Sequence, residues 1–175
     1  MIILDTNVVS ELMRPAPDDR VRQWAGGWRA GEFGTTAITV AEIRHGIERL
    51  PDGRRKASLL SAAADLFAAF RDLIQPFDAA AAHWFGPVMV RRASLGLPIE
   101  GFDAQIASIC RAHGAALATR NIKDFLETGV ELIDPWSALA DALHESPDGG
   151  QELRGPGAVH GMAGALDGDE CGIGH

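Results

Sequence analysis

The chain has 175 residues, 46% of them hydrophobic, and a formal net charge of −8. This length and composition fit one domain with an ordinary hydrophobic core rather than two domains. The acidic balance excludes a protein that coats nucleic acid through an overall positive charge, although it leaves open a nuclease whose own carboxylates bind metal ions.

Short apolar runs alternate with helical patterns in the first half of the chain. Residues 2–4 are wholly apolar, which is typical of a central parallel strand that is covered on both faces. Residues 5–7 are helix-capping types and predict a short helix over residues 8–13. The segment Thr39-Val40-Ala41-Glu42 matches a capping box that would begin a longer helix. The other predicted elements are a helix over residues 21–28 and a strand that follows the turn at residues 31–36.

The second half of the chain continues this alternation. Asp78 would cap one helix, Asp103 would open another, and Asp134-Pro135 would begin a last helix that ends near Leu143. The remaining predicted elements are a helix over residues 59–70, strands over residues 73–77, 115–119 and 130–133, and a helical turn over residues 121–125. Because apolar strands alternate with helices, the sequence predicts an α/β fold with a parallel sheet.

The last 31 residues differ in composition from the rest of the chain. Residues 145–175 contain nine of the 20 glycines and six acidic residues against one arginine. Such a segment buries too little apolar surface to offset the entropy lost on ordering. We therefore predict a folded domain over residues 1–144 and a disordered acidic tail over residues 145–175.

The cysteine content and the hydropathy of the chain indicate the cellular compartment in which the protein is expected. Cys110 and Cys171 are spaced neither as a disulfide framework nor as a zinc site, which favours a reducing, cytoplasmic setting. No stretch reaches the ~20 apolar residues that cross a bilayer, and the N-terminus does not resemble a signal peptide. We expect no membrane association. The four tryptophans, Trp24, Trp28, Trp84 and Trp136, are interpreted as core or dimer surface.

Several polar residues follow the predicted strands, at the edge where parallel sheets bind ligands. They are Asp5 after the first strand, Glu42 after the second, Asp103 in the helix before the fourth, and Thr119, Asn121 and Asp124 after the fourth. Clustered carboxylates raise one another's pKa, and a divalent cation relieves that conflict. An all-oxygen set suits Mg²⁺ or Mn²⁺, and the natural chemistry is hydrolysis of a phosphodiester.

Each acidic residue also fits a purely structural role. Asp5 and Asp103 could be helix N-caps, Glu42 fits the third helical position of the capping box, and Asn121 and Asp124 could cap a turn. The joint placement of these residues at one edge, rather than any one of them, favours a functional site.

The order of the motifs resembles the PIN-domain family. Leu4-Asp5-Thr6-Asn7-Val8-Val9-Ser10-Glu11 is similar to the opening motif of bacterial PIN toxins. Thr39 to Ile43, Asp103 to Ala107 (after Leu97-Pro98-Ile99) and Leu117 to Asn121 (with Asp124-Phe125) are similar to the second, third and fourth motifs. Asp134-Pro135-Trp136 is similar to the usual ending. Within the family, the sequence is most similar to the VapC and FitB-like toxins.

The resemblance implies a three-layer α/β/α sandwich and an acidic Mg²⁺ or Mn²⁺ site that cleaves single-stranded RNA. Asp5, Glu42 and Asp103 match the three main acidic positions and would hold the metal. The fourth acidic position falls on Asn121, a departure that Asp124 would partly offset. Thr6 and Thr119 would be supporting hydrogen-bond donors. The family further implies a homodimer and a cognate antitoxin that blocks the site.

The resulting hypothesis is water attack on an RNA phosphate, leaving a 5′-phosphate and a 3′-hydroxyl. Arginines near the site would guide the RNA; the candidates are Arg14, Arg44, Arg49, Arg54, Arg91, Arg92 and Arg120.

Three alternatives remain open from the sequence. A phosphohydrolase with Asp5 as a covalent nucleophile would want a second aspartate two residues later, where Asn7 stands. A catalytically inactive PIN module would only bind an antitoxin and nucleic acid. A purely structural α/β domain would use all the carboxylates as caps.

Overall fold

The computed structural model describes residues 1–29 and 31–137, and these residues form a three-layer fold around one parallel sheet. The sheet has five strands in the order β3-β2-β1-β4-β5, and every neighbouring pair is parallel. The strands are β1 (Ile2–Leu4), β2 (Phe33–Thr36), β3 (Ile74–Gln75), β4 (Ala116–Ala118) and β5 (Leu132–Ile133). The predicted α/β/α architecture is confirmed.

Within residues 1–29 and 31–137, seven helices connect the strands. They are α1 (Thr6–Leu12), α2 (Asp19–Gly26), α3 (Ala37–Glu48), α4 (Arg54–Ala69), α5 (Ala79–Ser94), α6 (Gly101–His113) and α7 (Ile122–Phe125), with a short 3₁₀ helix at Arg71–Leu73. None of the helices within the described residues is long and apolar enough to cross a membrane.

The central strand β1 is buried on both of its faces. Ile2 and Leu4 pack into one core with Val8, Val9, Trp24 and Phe67, whereas Ile3 packs into a second core with Leu117, Ala104 and Phe125. Alternate residues of a strand point to opposite faces of the sheet, so each core is covered by its own layer of helices. This explains why the strand sequence is continuously apolar.

Two of the predicted helix starts are wrong. The helix α3 begins at Ala37, and its N-cap is Thr36, whose hydroxyl accepts a hydrogen bond from Thr39 N (2.9 Å). A capping box headed by Thr39 is therefore absent, and Glu42 lies well inside the helix. Likewise α6 begins at Gly101 after an N-cap at Glu100, so Asp103 does not open that helix.

Predictions for the C-terminal region are only partly covered by the described residues. The helix expected from Asp134 to near Leu143 appears as a turn as far as Ser137, and the rest of it lies outside the described residues, as does the tail at residues 145–175. Trp24 and Trp136 are buried in the core as expected, while Trp28 remains 38% exposed.

Candidate active site

Asp5 is a buried carboxylate at the carboxyl end of the central strand. It is the N-cap of α1 and only 4% exposed. Its Oδ1 accepts a hydrogen bond from Thr6 N (2.7 Å), and its Oδ2 accepts hydrogen bonds from the Thr119 hydroxyl (2.7 Å) and from Asn7 Nδ2 (2.7 Å). Burial raises the pKa of Asp5 above its ordinary value, against the opposing effect of these donors, and the nearby charge of Glu42 raises it further.

Asn7 connects the first turn of α1 to the loop after β4, and the sequence analysis assigned it no role in the site. Its Nδ2 contacts Thr119 Oγ1 (3.2 Å) as well as Asp5, and its Oδ1 accepts a hydrogen bond from Arg120 N (3.0 Å). The side chain therefore bridges the start of α1 and the loop after β4. The only signal in the sequence was an amide two residues after a strand-terminal aspartate.

Glu42 reaches the site from α3. Its Oε2 accepts a hydrogen bond from the Thr6 hydroxyl (2.6 Å). Thr6 thus connects two carboxylates, since its backbone N–H donates to Asp5 and its side chain donates to Glu42. The placement of Glu42 beyond the first turn of α3 removes the capping interpretation of this residue.

Asp103 stands half-buried on the first turn of α6. The pKa of Asp103 is raised to about 6, first by burial and then by the charges of Asp5, Asp124, Glu42 and Glu100. These effects place Asp5, Glu42, Asp103 and Asp124 in one electrostatic cluster. We call these four residues the acidic cluster.

Asn121 and Asp124 lie at the outer side of the same edge, and both are exposed. Asn121 N donates a hydrogen bond to Thr119 Oγ1 (3.0 Å), and the Asn121 side chain makes no capping bond to α7. Thr119 is fully buried at the centre of this network. Its hydroxyl accepts hydrogen bonds from Asn7 and Asn121 and donates one to Asp5. The structure therefore brings every predicted site residue to the carboxyl edge of the sheet.

A separate cavity of about 300 Å³ opens at the opposite, amino end of β4 and β5. Its lining includes Trp84, Arg111 and Glu131, and none of the acidic cluster contributes to it. The Arg111 guanidinium lies over the Trp84 ring (4.0 Å) and donates to Thr128 O (3.1 Å), so these donors are already engaged. We place the candidate active site at the acidic cluster and not in this cavity.

The fold and the acidic cluster together define an α/β protein with a carboxylate site at the topological edge where such sheets bind ligands. The family model of the PIN domain matches residues 2–131. The chain belongs to the PIN-domain family.

Relatives span the same part of the chain. The chain is 34% identical over 137 residues to "VapC ribonuclease Y4jK" of Sinorhizobium fredii, covering 78% of this chain and 98% of that protein. It is also 34% identical to "Toxin FitB" of Neisseria gonorrhoeae, covering 78% of this chain and 99% of that protein. The solved structure described as FitAB bound to a DNA fragment superposes with a TM-score of 0.73 at 34% identity, covering 78% of this chain and 96% of that chain.

Proposed function

We propose that this protein is a divalent-metal-dependent endoribonuclease and the toxin of a VapBC-type toxin–antitoxin pair. The observation that supports this most directly is Asp5, a buried carboxylate fixed by three donors beside Glu42 and Asp103. The relatives named as a VapC ribonuclease and as a toxin support the same assignment.

The residues of the acidic cluster fit a hard divalent cation by their chemistry. All are carboxylates, which suit Mg²⁺ or Mn²⁺. Asp5 Oδ1 accepts a single hydrogen bond and so retains a lone pair for a ligand. Within residues 1–29 and 31–137, no three acidic, histidine or cysteine side chains already stand as a ligating group. We infer that Asp5, Glu42 and Asp103 hold the ion, and that binding draws these side chains together.

Bound there, the ion would supply Lewis acidity and a water of lowered pKa. The protein's own contribution is to present Asp5 in one orientation. Thr119 and Asn7 fix one oxygen of Asp5, and Thr6 fixes the other. Thr6 also fixes Glu42, so a single residue sets the relative orientation of two carboxylates. Such fixed geometry reduces the reorganisation that the reaction requires.

The route of the RNA backbone would pass Arg120, which is exposed beside Asn7 at the mouth of the site. Two other arginines proposed from the sequence have protein partners: Arg14 is paired with Glu11 (3.1 Å), and Arg91 is paired with Glu127 (2.7 Å). Arg92 is 3% exposed, so the prediction that it contacts RNA is wrong.

The partners proposed are a cognate antitoxin and a second copy of the chain. The structure described as FitAB bound to a DNA fragment supports the antitoxin as a partner. The domain limit at residue 144 stays a prediction, which limited proteolysis followed by mass spectrometry would test.

The second candidate is a catalytically inactive PIN module that binds only antitoxin and nucleic acid. Asn121 favours it, because a neutral amide stands where the family's fourth acidic residue would be. The retained carboxylates Asp5, Glu42 and Asp103 count against it.

Purified, antitoxin-free protein should be incubated with structured and unstructured RNAs in Mg²⁺, in Mn²⁺ and in EDTA, beside Asp5→Asn. Asp65→Asn, an exposed carboxylate on α4, is the charge-matched control. We expect metal-dependent cleavage that Asp5→Asn abolishes and Asp65→Asn retains. Metal binding by a folded protein that cleaves none of the RNAs would support the inactive module instead.

A further inference from the structure

Arg92 is a buried arginine that has no acidic partner within the part of the chain that the structure describes. Its side chain lies on α5, and it is 3% exposed. No carboxylate lies within ion-pair distance of it among the described residues, and its Nε finds no hydrogen-bond partner there. A buried guanidinium charge is costly unless other groups compensate it, so its retention calls for a specific role.

The guanidinium of Arg92 binds three backbone carbonyls from two different segments. Nη1 donates to Lys123 O (3.2 Å) and to Leu126 O (2.6 Å), at the end of α7. Nη2 donates to Pro98 O (3.3 Å), in the loop between α5 and α6. Carbonyls at the end of a helix have no partner within that helix, so Arg92 supplies the donors that α7 lacks.

The backbone of Arg92 holds the same loop from its other end. Its carbonyl oxygen accepts hydrogen bonds from Leu95 N (3.2 Å) and Leu97 N (3.0 Å). One residue therefore fixes the exit of α5, the following loop and the end of α7. The planar fork of a guanidinium matches this task, because it presents several donors in fixed directions.

Both segments lead directly to the acidic cluster. The loop at Pro98 continues through Glu100 into α6, whose first turn presents Asp103. The helix α7 contains Asp124, whose charge raises the pKa of Asp103. The spacing between these two carboxylates thus depends on how α6 and α7 are held relative to each other.

We propose that Arg92 is a positioning residue of the active site, which holds the α5–α6 loop and the end of α7 and so fixes where the segments that carry Asp103 and Asp124 stand relative to each other. This inference rests on the proposed nuclease function. Arg92→Met leaves the three carbonyl oxygens without the donors that Arg92 supplies, so a loss of stability is expected whether the residue positions the site or only stabilises the fold. The fall in kcat is the measurement that distinguishes a positioning role from a purely structural one.

The test compares Arg92→Lys and Arg92→Met with Arg111→Lys. Arg111 is a matched control, because its guanidinium also donates to a backbone carbonyl (Thr128 O, 3.1 Å) but lies at the opposite end of the sheet. The measurements are kcat and KM for RNA cleavage, amide hydrogen exchange across residues 97–104 and 122–126, and Mn²⁺ affinity of the protein alone.

We expect both Arg92 variants to lose protection from exchange in these two segments while kcat falls by roughly 10²-fold, the effect of about 1 Å of misplacement. The KM for RNA should change little, and Arg92→Lys should retain more activity than Arg92→Met because it still donates hydrogen bonds. Arg111→Lys should leave all of these quantities unchanged. An unchanged kcat in a variant whose two segments exchange faster would overturn the proposal.

Other outcomes separate this inference from the function on which it rests. A wild-type protein that cleaves no RNA would refute the proposed function. The Mn²⁺ affinity of Arg92→Lys would then be the remaining test of the positioning role, and an affinity equal to that of the wild type would overturn that role. Failure of both variants to fold would also overturn it, because Arg92 would then be required for the fold rather than for the site.

Discussion

Replacing Asp103 by asparagine is expected to stabilise the metal-free protein at neutral pH. The pKa of Asp103 is raised from 3.8 to about 6 in the folded state, mainly by burial and by the charges of Asp5 and Asp124. Each unit of difference between folded and unfolded pKa is worth about 1.4 kcal/mol, so ionised Asp103 would destabilise the fold by about 3 kcal/mol. Because the side chain is only half-buried, solvent screening reduces this to roughly 1–2 kcal/mol.

The sign of the pH dependence follows from the raised pKa. Well below pH 3.8 the carboxyl is protonated in both states and has no effect on the free energy of unfolding. As the pH rises toward about 6, the unfolded state releases its proton first, so the contribution of Asp103 becomes progressively unfavourable. Asp103→Asn should therefore match the wild type in stability well below pH 3.8 and exceed it above pH 6.

Urea unfolding in EDTA, repeated across this pH range, measures the difference. Asp65→Asn serves as the control, because it removes a charge of the same sign from the exposed face of α4. An Asp103→Asn variant that is no more stable than the wild type at pH 7, or a gain that Asp65→Asn reproduces, would refute the reasoning. The same variant should be inactive in the RNA cleavage assay.

Three further predictions concern the network, the ion and the first loop. Thr119→Val removes a donor to Asp5 and so raises the pKa of Asp5 further. The loss of kcat/KM relative to the wild type should therefore grow as the pH is lowered, and a loss that is the same at every pH would contradict this. Mg²⁺ at 100 times its Kd should stabilise the wild type by about 2.7 kcal/mol in thermal unfolding, and no gain is expected for Asp5→Asn. Glu11→Ala should lower the free energy of unfolding by about 1–3 kcal/mol, because buried Glu11 accepts a hydrogen bond from Asp18 N (2.8 Å). Glu48→Ala, which breaks only an ion pair at a largely exposed glutamate, should cost below about 1 kcal/mol in the same urea titration.

The sheet and the positions of the acidic residues could be predicted from the sequence because both depend on local patterns. Residues 2–4 are apolar without interruption, and β1 is indeed buried on both faces. Polar residues that follow such strands must meet at one edge once the strands are parallel. The placement of Asp5, Glu42 and Asp103 required no knowledge of side-chain contacts.

The start of α3 was predicted wrongly because two residues of similar capping chemistry lie close together in the sequence. Thr36 and Thr39 are both good N-cap residues, and the tetrapeptide from Thr39 to Glu42 satisfied the capping-box pattern. The end of β2 decides in favour of Thr36, since this strand is paired with β3 up to Thr36 and Gln75. Strand pairing is a long-range contact, which a local pattern does not reveal.

Arg92 was misassigned for a related reason. Its sequence neighbourhood, Val90-Arg91-Arg92-Ala93, is typical of an exposed basic surface, and Arg91 is indeed exposed. The burial of Arg92 depends on carbonyls at Pro98, Lys123 and Leu126, which lie up to 34 residues away in sequence. Such backbone acceptors have no sequence signature.

The hydrogen bonds of Asp5 also bear on whether it is merely a helix cap. An aspartate N-cap needs only one carboxylate oxygen and can stabilise a helix from the protein surface. Asp18 is an example, because its carboxylate accepts a hydrogen bond from Arg20 N and the side chain of Arg20 lowers the pKa of Asp18. Asp5 caps α1 with Oδ1 alone, yet it is buried, its pKa is raised, and its other oxygen is held by Thr119 from the loop after β4. Burying a carboxylate beside another acidic residue gives a cap no advantage and destabilises the fold. Such an arrangement is expected where a cation bound by the folded protein offsets that cost, which is why we favour the metal-site interpretation of Asp5 over the capping interpretation.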